Sequence, residues 1–191
     1  TYDSNNVLSK NYNKHNFCYV GSMALWQCFE KTSMVFKQIE KIIPDAHLKV
    51  LTFDTVKAEE ILTSNDVINY TVKRVPREQV KEELKDATYG FLLRDDDEVN
   101  RVATPTKLSS YLSAGVLPLY SECLKDFATI AKDKNFALKI KNPININEII
   151  DYVNKPKLIE NLNGEISELF RSYYGVENHI NALKKVFVAQ L

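Results

Sequence analysis

Short apolar runs alternate with stretches of helical spacing along most of this chain, and no other feature limits its fold as much. Residues 17–21, 48–53, 67–75, 89–93, 116–120 and 136–140 read as buried strands. After the first of them, Leu25, Phe29, Met34, Phe36, Ile39, Ile42 and Ile43 recur at helical spacing until Pro44 stops them. Residues 56–62, 77–86, 105–115 and 124–132 supply further helices; Pro76 and Pro105 open two of these, and Gly115 closes the latter. Pro118 implies an end or edge position, because proline cannot donate to a ladder. From residue 147 onward the pattern is helical, with breaks near Pro156, Gly164 and Gly175.

Strands alternating with helices imply a mostly parallel sheet with helices on both faces. Right-handed crossovers then wind the sheet in both directions from its centre. The expected fold class is α/β: a Rossmann-like, doubly wound sheet of about six strands with a helical C-terminal extension. At 191 residues, 45% hydrophobic and 26% charged, the chain is expected to form a single domain over residues 1–191. Lys plus Arg equals Asp plus Glu at 25 each, so no global basic field draws nucleic acid or anionic lipid. No apolar run approaches the roughly 20 residues of a membrane helix. The polar residues 1–6 carry neither an initiator Met nor a signal-peptide pattern, which suggests a fragment. Cys18, Cys28 and Cys123 fit neither a disulfide framework nor a zinc site, and a reducing, cytoplasmic setting is expected. His15, His47 and His179 show no metal-ligand spacing.

The polar residues 94–107 follow a buried strand, and in an open α/β sheet ligands bind at the carboxyl ends of strands. A helix beginning at Thr104-Pro105 would add free N–H groups and a positive dipole end, which suits a phosphorylated ligand. Lys107 in its first turn opposes that dipole, a conflict that a bound anion would resolve; the plainer reading is a solvated lysine. Arg94 and Arg101 could reach a phosphate or a sugar hydroxyl, or could simply pair with Asp95, Asp96, Asp97 or Glu98 on a solvated loop. The acidic run matches no calcium-loop spacing, and its arginines oppose a cation. Gly21-Ser22 stands where dinucleotide folds keep their phosphate loop, and equally suits an ordinary strand-to-helix turn. The G-x-G-x-x-G fingerprint is absent and the chain has only 5 glycines, so NAD binding of that type is not expected. Trp26 is expected in the core or at an interface, with ligand stacking as the alternative. No Ser-His-Asp or Cys-His arrangement can be assembled. Ile180, Leu183, Val186 and Phe187 fit a terminal amphipathic helix.

Several of these segments carry a family resemblance. Phe17-Cys18-Tyr19-Val20-Gly21-Ser22 looks like the opening strand and glycine of the C-terminal half of a GT-B glycosyltransferase, and residues 72–84 look like the segment before its donor site. Tyr89-Gly90-Phe91-Leu92-Leu93-Arg94, with residues 100–108, resembles a variant found in capsule-type enzymes. Tyr111-Leu112-Ser113-Ala114-Gly115-Val116-Leu117-Pro118 is similar to the helix-glycine-proline signature that closes the site, and is the most specific element. The resemblance is to family 4 retaining enzymes and their relatives in polysaccharide biosynthesis. It implies a donor half that binds a nucleotide-diphospho-sugar without a metal or other cofactor. A separate N-terminal half would bind a glycan or lipid-linked acceptor, at the inner face of a membrane or free of it. It assigns Arg94 and Lys107 to the diphosphate or sugar as catalytic residues. Gly21, Ser22, Asn100, Arg101, Thr104, Thr106 and Ser110 are its substrate-binding candidates. The chain departs from the family where paired glutamates precede the glycine: at that spacing from Gly115 it has Val102 and Ser110. Lys31 is the partial substitute for a basic pair expected after the first strand.

Three readings follow. The first is the donor-binding half of a glycosyltransferase making a cell-surface polysaccharide or related glycan. The second is a non-catalytic binding module that keeps the fold, and the third is a sugar epimerase or phosphorylase of the same architecture. The fragment alone is expected to be inactive in transfer, since the acceptor half would be missing.

Overall fold

The computed structural model describes residues 2–102 and 106–174. Its strands are β1 (Asn16–Val20), β2 (His47–Leu51), β3 (Tyr70–Lys73), β4 (Tyr89–Leu92), β5 (Leu117–Ser121) and β6 (Leu138–Ile140). They form one parallel sheet in the order β3-β2-β1-β4-β5-β6. The strand order turns back on itself between β1 and β4, and the crevice outside their carboxyl ends is the binding position such sheets provide. Parallel strands need crossovers, and α2 (Phe29–Ile42), α3 (Thr55–Ser64), α4 (Val80–Glu83), α6 (Thr106–Ser113) and α7 (Lys125–Ile130) lie in them. Alternate residues of β1 serve opposite faces. Phe17 and Tyr19 join the larger core with Phe36, Leu48 and Phe91, whereas Cys18 packs with Leu84, Tyr111 and Val116. Phe17 lies within ring contact of Phe36, Tyr89 and Phe91, at centroid distances of 5.6, 5.4 and 5.5 Å. Burying a side chain of that size contributes about 1.5–3 kcal/mol.

The six-stranded α/β sheet and its helical C-terminal extension, α8 (Ile146–Asn154) and α9 (Ile159–Ser172), match the sequence expectation. Some local expectations do not hold. The helix foreseen over residues 25–43 divides: Leu25–Gln27 is a separate 3-10 turn, and Cys28 takes a left-handed φ of 52° before α2 begins. The stretch 77–86 holds only a 3-10 turn (Arg77–Gln79) and the four residues of α4. Residues 98–102, foreseen as loop, form α5 (Glu98–Val102), and a short helix, α1 (Asn5–Leu8), precedes β1. Pro118 lies near the start of β5 but not in an edge strand, since β5 pairs with both β4 and β6. Leu117 N–H donates to Thr88 on the β4 side, so the Pro118 nitrogen faces β6, and pairing with β6 begins only at Leu119. Gly164 does not break a helix; α9 runs through it. The break expected near Gly175 and the apolar series after it lie outside the described residues. The extension returns to the chain start: Tyr2 stacks on Phe170 at 5.0 Å, and its hydroxyl meets Asn163 Oδ1 at 2.5 Å.

Candidate functional site

β1 ends at Val20, and Gly21 follows, its N–H donating to Leu51 O at 3.0 Å. β4 ends at Leu92, and two residues on Arg94 turns inward, only 6% exposed, with its N–H bonded to Ser121 Oγ at 2.9 Å. Its guanidinium donates through Nη1 to the main-chain oxygens of Gln27 (2.9 Å) and Leu93 (2.7 Å), and through Nη2 to Gln27 Oε1 at 2.8 Å. Lys107, in the first turn of α6, brings its amine to the same Gln27 oxygen and over the Tyr19 ring at 5.4 Å. Gly21 leaves room for this convergence: a Cβ there would lie 2.5 Å from Lys107 Nζ and 3.2 Å from Gln27 Oε1.

Two cations thus share one neutral acceptor, and among the described residues no carboxylate bonds to either. Burial, and secondarily the Arg94 charge, lowers the Lys107 amine to about 7; burial likewise lowers the Arg94 guanidinium. A pair of desolvated cations without a counter-ion is electrostatically costly, and an anion bridging them would relieve that cost.

The sequence candidates distribute unevenly around this point. Gly21, Arg94 and Lys107 come together. Thr106 and Ser110, both exposed, line a cleft of about 710 Å³ beside Lys107, with Ser109, Ser113, Val20, Val80, Arg77 and Lys81. Ser22 is exposed, and its carbonyl accepts the Tyr19 hydroxyl at 2.8 Å. Asn100 is buried and bound within its own loop, its amide donating to Asp95 O (3.1 Å) and Asp97 Oδ2 (2.9 Å). Arg101 is exposed and pairs with Asp96 at 2.6 Å. Thr104 and Pro105 lie outside the described residues. Lys31 pairs with Asp95, whose carboxyl this contact holds below its ordinary value. Asp95, Asp96 and Asp97 therefore face Lys31, Arg101 and Asn100 respectively, rather than a common centre. A second cleft, of about 380 Å³, opens on the other side of Arg94 towards Ser121, Glu122, Lys141 and Asn142.

One residue at the site was not foreseen, and a second lies elsewhere than its leading expectation. Gln27 lay hidden inside the supposed long helix, and no spacing marks it. Trp26 is not core: it is 53% exposed, and Arg94 lies over its ring at 5.5 Å. A tryptophan two residues before a left-handed turn carries no sequence signal of that placement.

No protein-family model and no curated protein sequence matches the chain. Solved structures do. Over 90% of this chain and 46% of the other, it resembles WaaG, a glycosyltransferase of lipopolysaccharide biosynthesis, with a TM-score of 0.63 at 14% identity. A variant of S. aureus TarM bound to fondaparinux, α-GlcNAc-glycerol and UDP aligns over 92% of this chain and 36% of its own, with a TM-score of 0.71 at 12% identity. The C-terminal domain of LpcC, a group 1 glycosyl transferase from Francisella tularensis, aligns over 85% of this chain and 87% of its own, with a TM-score of 0.62 at 10% identity. The chain spans less than half the length of WaaG and TarM and nearly all of the isolated LpcC domain. With its parallel sheet, its β1/β4 crevice and its terminal helices, it has the fold of the C-terminal half of a GT-B glycosyltransferase.

Proposed function

We propose that this chain is the donor-binding half of a glycosyltransferase, which moves a sugar from a nucleotide-diphospho-sugar to an acceptor hydroxyl during synthesis of a cell-surface polysaccharide or related glycan. The observation that carries the reading is the convergence of Arg94 and Lys107, without a carboxylate, over Gly21 at the crevice between β1 and β4. A diphosphate bridging the two cations would occupy the position where helix-flanked parallel sheets hold such groups. As the sugar departs, negative charge grows on the diphosphate, and preorganised cations stabilise that charge more than they stabilise the bound donor. We assign charge neutralisation to these side chains and none of it to a metal. The nucleoside is assigned to the cleft along α6, which Thr106, Ser109, Ser110 and Ser113 line together with Arg77 and Lys81. The acceptor, a glycan or a lipid-linked saccharide, falls to the other half of the enzyme, working at the inner face of a membrane. Among the described residues no helix is long and apolar enough to cross one.

Calorimetry with UDP, GDP, ADP, CDP and dTDP tests the reading. Lys107→Ala should weaken binding of the preferred diphosphate by about 10- to 100-fold, the range of one charge-assisted hydrogen bond. Equal affinity of parent and variant for every diphosphate would sink the assignment.

One observation favours a second reading, a binding module without transfer activity: among the described residues no carboxylate lines the cleft along α6. Under that reading the full-length protein binds a diphosphate but transfers no sugar from any of the five nucleotide-sugar classes.

A further inference from the structure

Gln27 has one polar atom that does two jobs, and this has a consequence for ligand binding that rests on the donor reading above. Its Oε1 accepts from Arg94 Nη2 at 2.8 Å and from Lys107 Nζ, the same two donors the diphosphate would need. The residue is 5% exposed, and its own N–H donates to Ala24 O at 2.9 Å, closing the 3-10 turn of Leu25–Gln27. Its main-chain oxygen is held separately, by Arg94 Nη1 at 2.9 Å. Gln27 therefore engages the cations through a side chain that can rotate away and a backbone oxygen that need not move.

We propose that the Gln27 side chain is an internal competitor for the anion. It positions Arg94 and Lys107, and the diphosphate must displace it to bind. A phosphate oxygen wins that exchange because its full negative charge adds Coulomb attraction to both donors, which a neutral amide oxygen lacks. Each donor passes from one acceptor to the other, so no buried N–H is left unpaired. Trp26, the residue before Gln27, rests on the Arg94 guanidinium at 5.5 Å. Trp26 is the chain's single tryptophan, so its emission reports the exchange directly.

The probe is inorganic pyrophosphate, titrated into the full chain and into Gln27→Met, which keeps the bulk and removes the acceptor. Removing a competitor should tighten pyrophosphate binding by about tenfold or more, the size of one lost hydrogen bond to a charged donor. A Gln27 that only supports the fold predicts the opposite sign, so unchanged or weaker binding by a folded Gln27→Met overturns the proposal. If that variant fails to fold, the parent decides: Trp26 emission should shift and saturate together with the calorimetric isotherm, and a constant emission at saturation overturns it. Pyrophosphate binding that Gln27→Met tightens, with no binding of any nucleoside diphosphate, would sustain the competition and remove the donor assignment. Absence of any pyrophosphate binding would remove both.

Discussion

At the scale of single residues, Lys107 has the most to reveal. Burial and the neighbouring Arg94 bring its amine to about 7, so above that pH it is largely neutral before a ligand arrives. A bound diphosphate favours the protonated amine and raises its pKa, so binding must take up a proton in that range. Diphosphate affinity should therefore fall by about tenfold between pH 7 and 9, where the phosphate itself is already fully ionised. Calorimetry in buffers of different ionisation heat would count the proton. Lys107→Arg should flatten the profile, because a guanidinium stays charged throughout; an equally steep profile in that variant would place the titrating group elsewhere. Arg94 and Lys107 could be singled out in the sequence because each stands at a strand end or helix start, next to the carboxyl edge of the sheet. Gln27 was not legible, since an amide in a polar stretch has no pattern until the fold brings two cations to it.

Elements matter here chiefly through α6, which carries Lys107 and the hydroxyls of the adjacent cleft. Tyr111 sets its position: the ring is wholly buried, the hydroxyl donates to Phe91 O at 3.2 Å, and it accepts the Val20 N–H at 3.1 Å. One hydroxyl thus ties α6 to the last residues of both β1 and β4, the strands that flank the crevice. Tyr111→Phe leaves the Val20 N–H without its partner and should cost about 1–3 kcal/mol, read from urea unfolding. It should also weaken diphosphate binding, because α6 loses its fixed height above the sheet. An unchanged urea midpoint would mean that the edge of β1 finds another acceptor. The strands and most helices could be read from periodicity, since apolar runs and helical spacing are local properties. The division of residues 25–43 could not. The left-handed φ of 52° at Cys28 places a turn where the spacing of Leu25, Phe29 and Phe36 suggested continuity. That turn sets Leu25 and Trp26, 90% and 53% exposed, outside the core.

Across the whole molecule, buried cations give stability a distinctive pH dependence. Lys10, whose amine donates to Leu84 O at 3.1 Å and Ala87 O at 2.5 Å, is brought by burial to about 8. Burial brings Lys157, against the Tyr152 ring, to about 8 as well, and Lys107 stands at about 7. An unfolded lysine titrates near ~10.4. Between pH 7 and about 8.5 the unfolded chain therefore binds more protons than the folded one through these lysines, and stability rises with pH. Above about pH 9 the sign reverses, because burial raises the Cys18 thiol to about 12 and raises the hydroxyls of Tyr12, Tyr19 and Tyr89 above their ordinary value, and only the unfolded chain gives up those protons. The urea midpoint should climb from pH 7 to about 8.5 and decline beyond about pH 9; a steady fall across the range would contradict these burials. Lys10→Met should remove part of the climb. By itself, the sequence determined the α/β alternation, the parallel sheet and the crevice, because apolar periodicity and crossover handedness act through neighbours along the chain. Only the tertiary structure decided which polar groups meet there. Arg94, Lys107 and Gln27 are distant in sequence, and their pairing depends on how α6 and the Leu25–Gln27 turn pack over the same two strand ends.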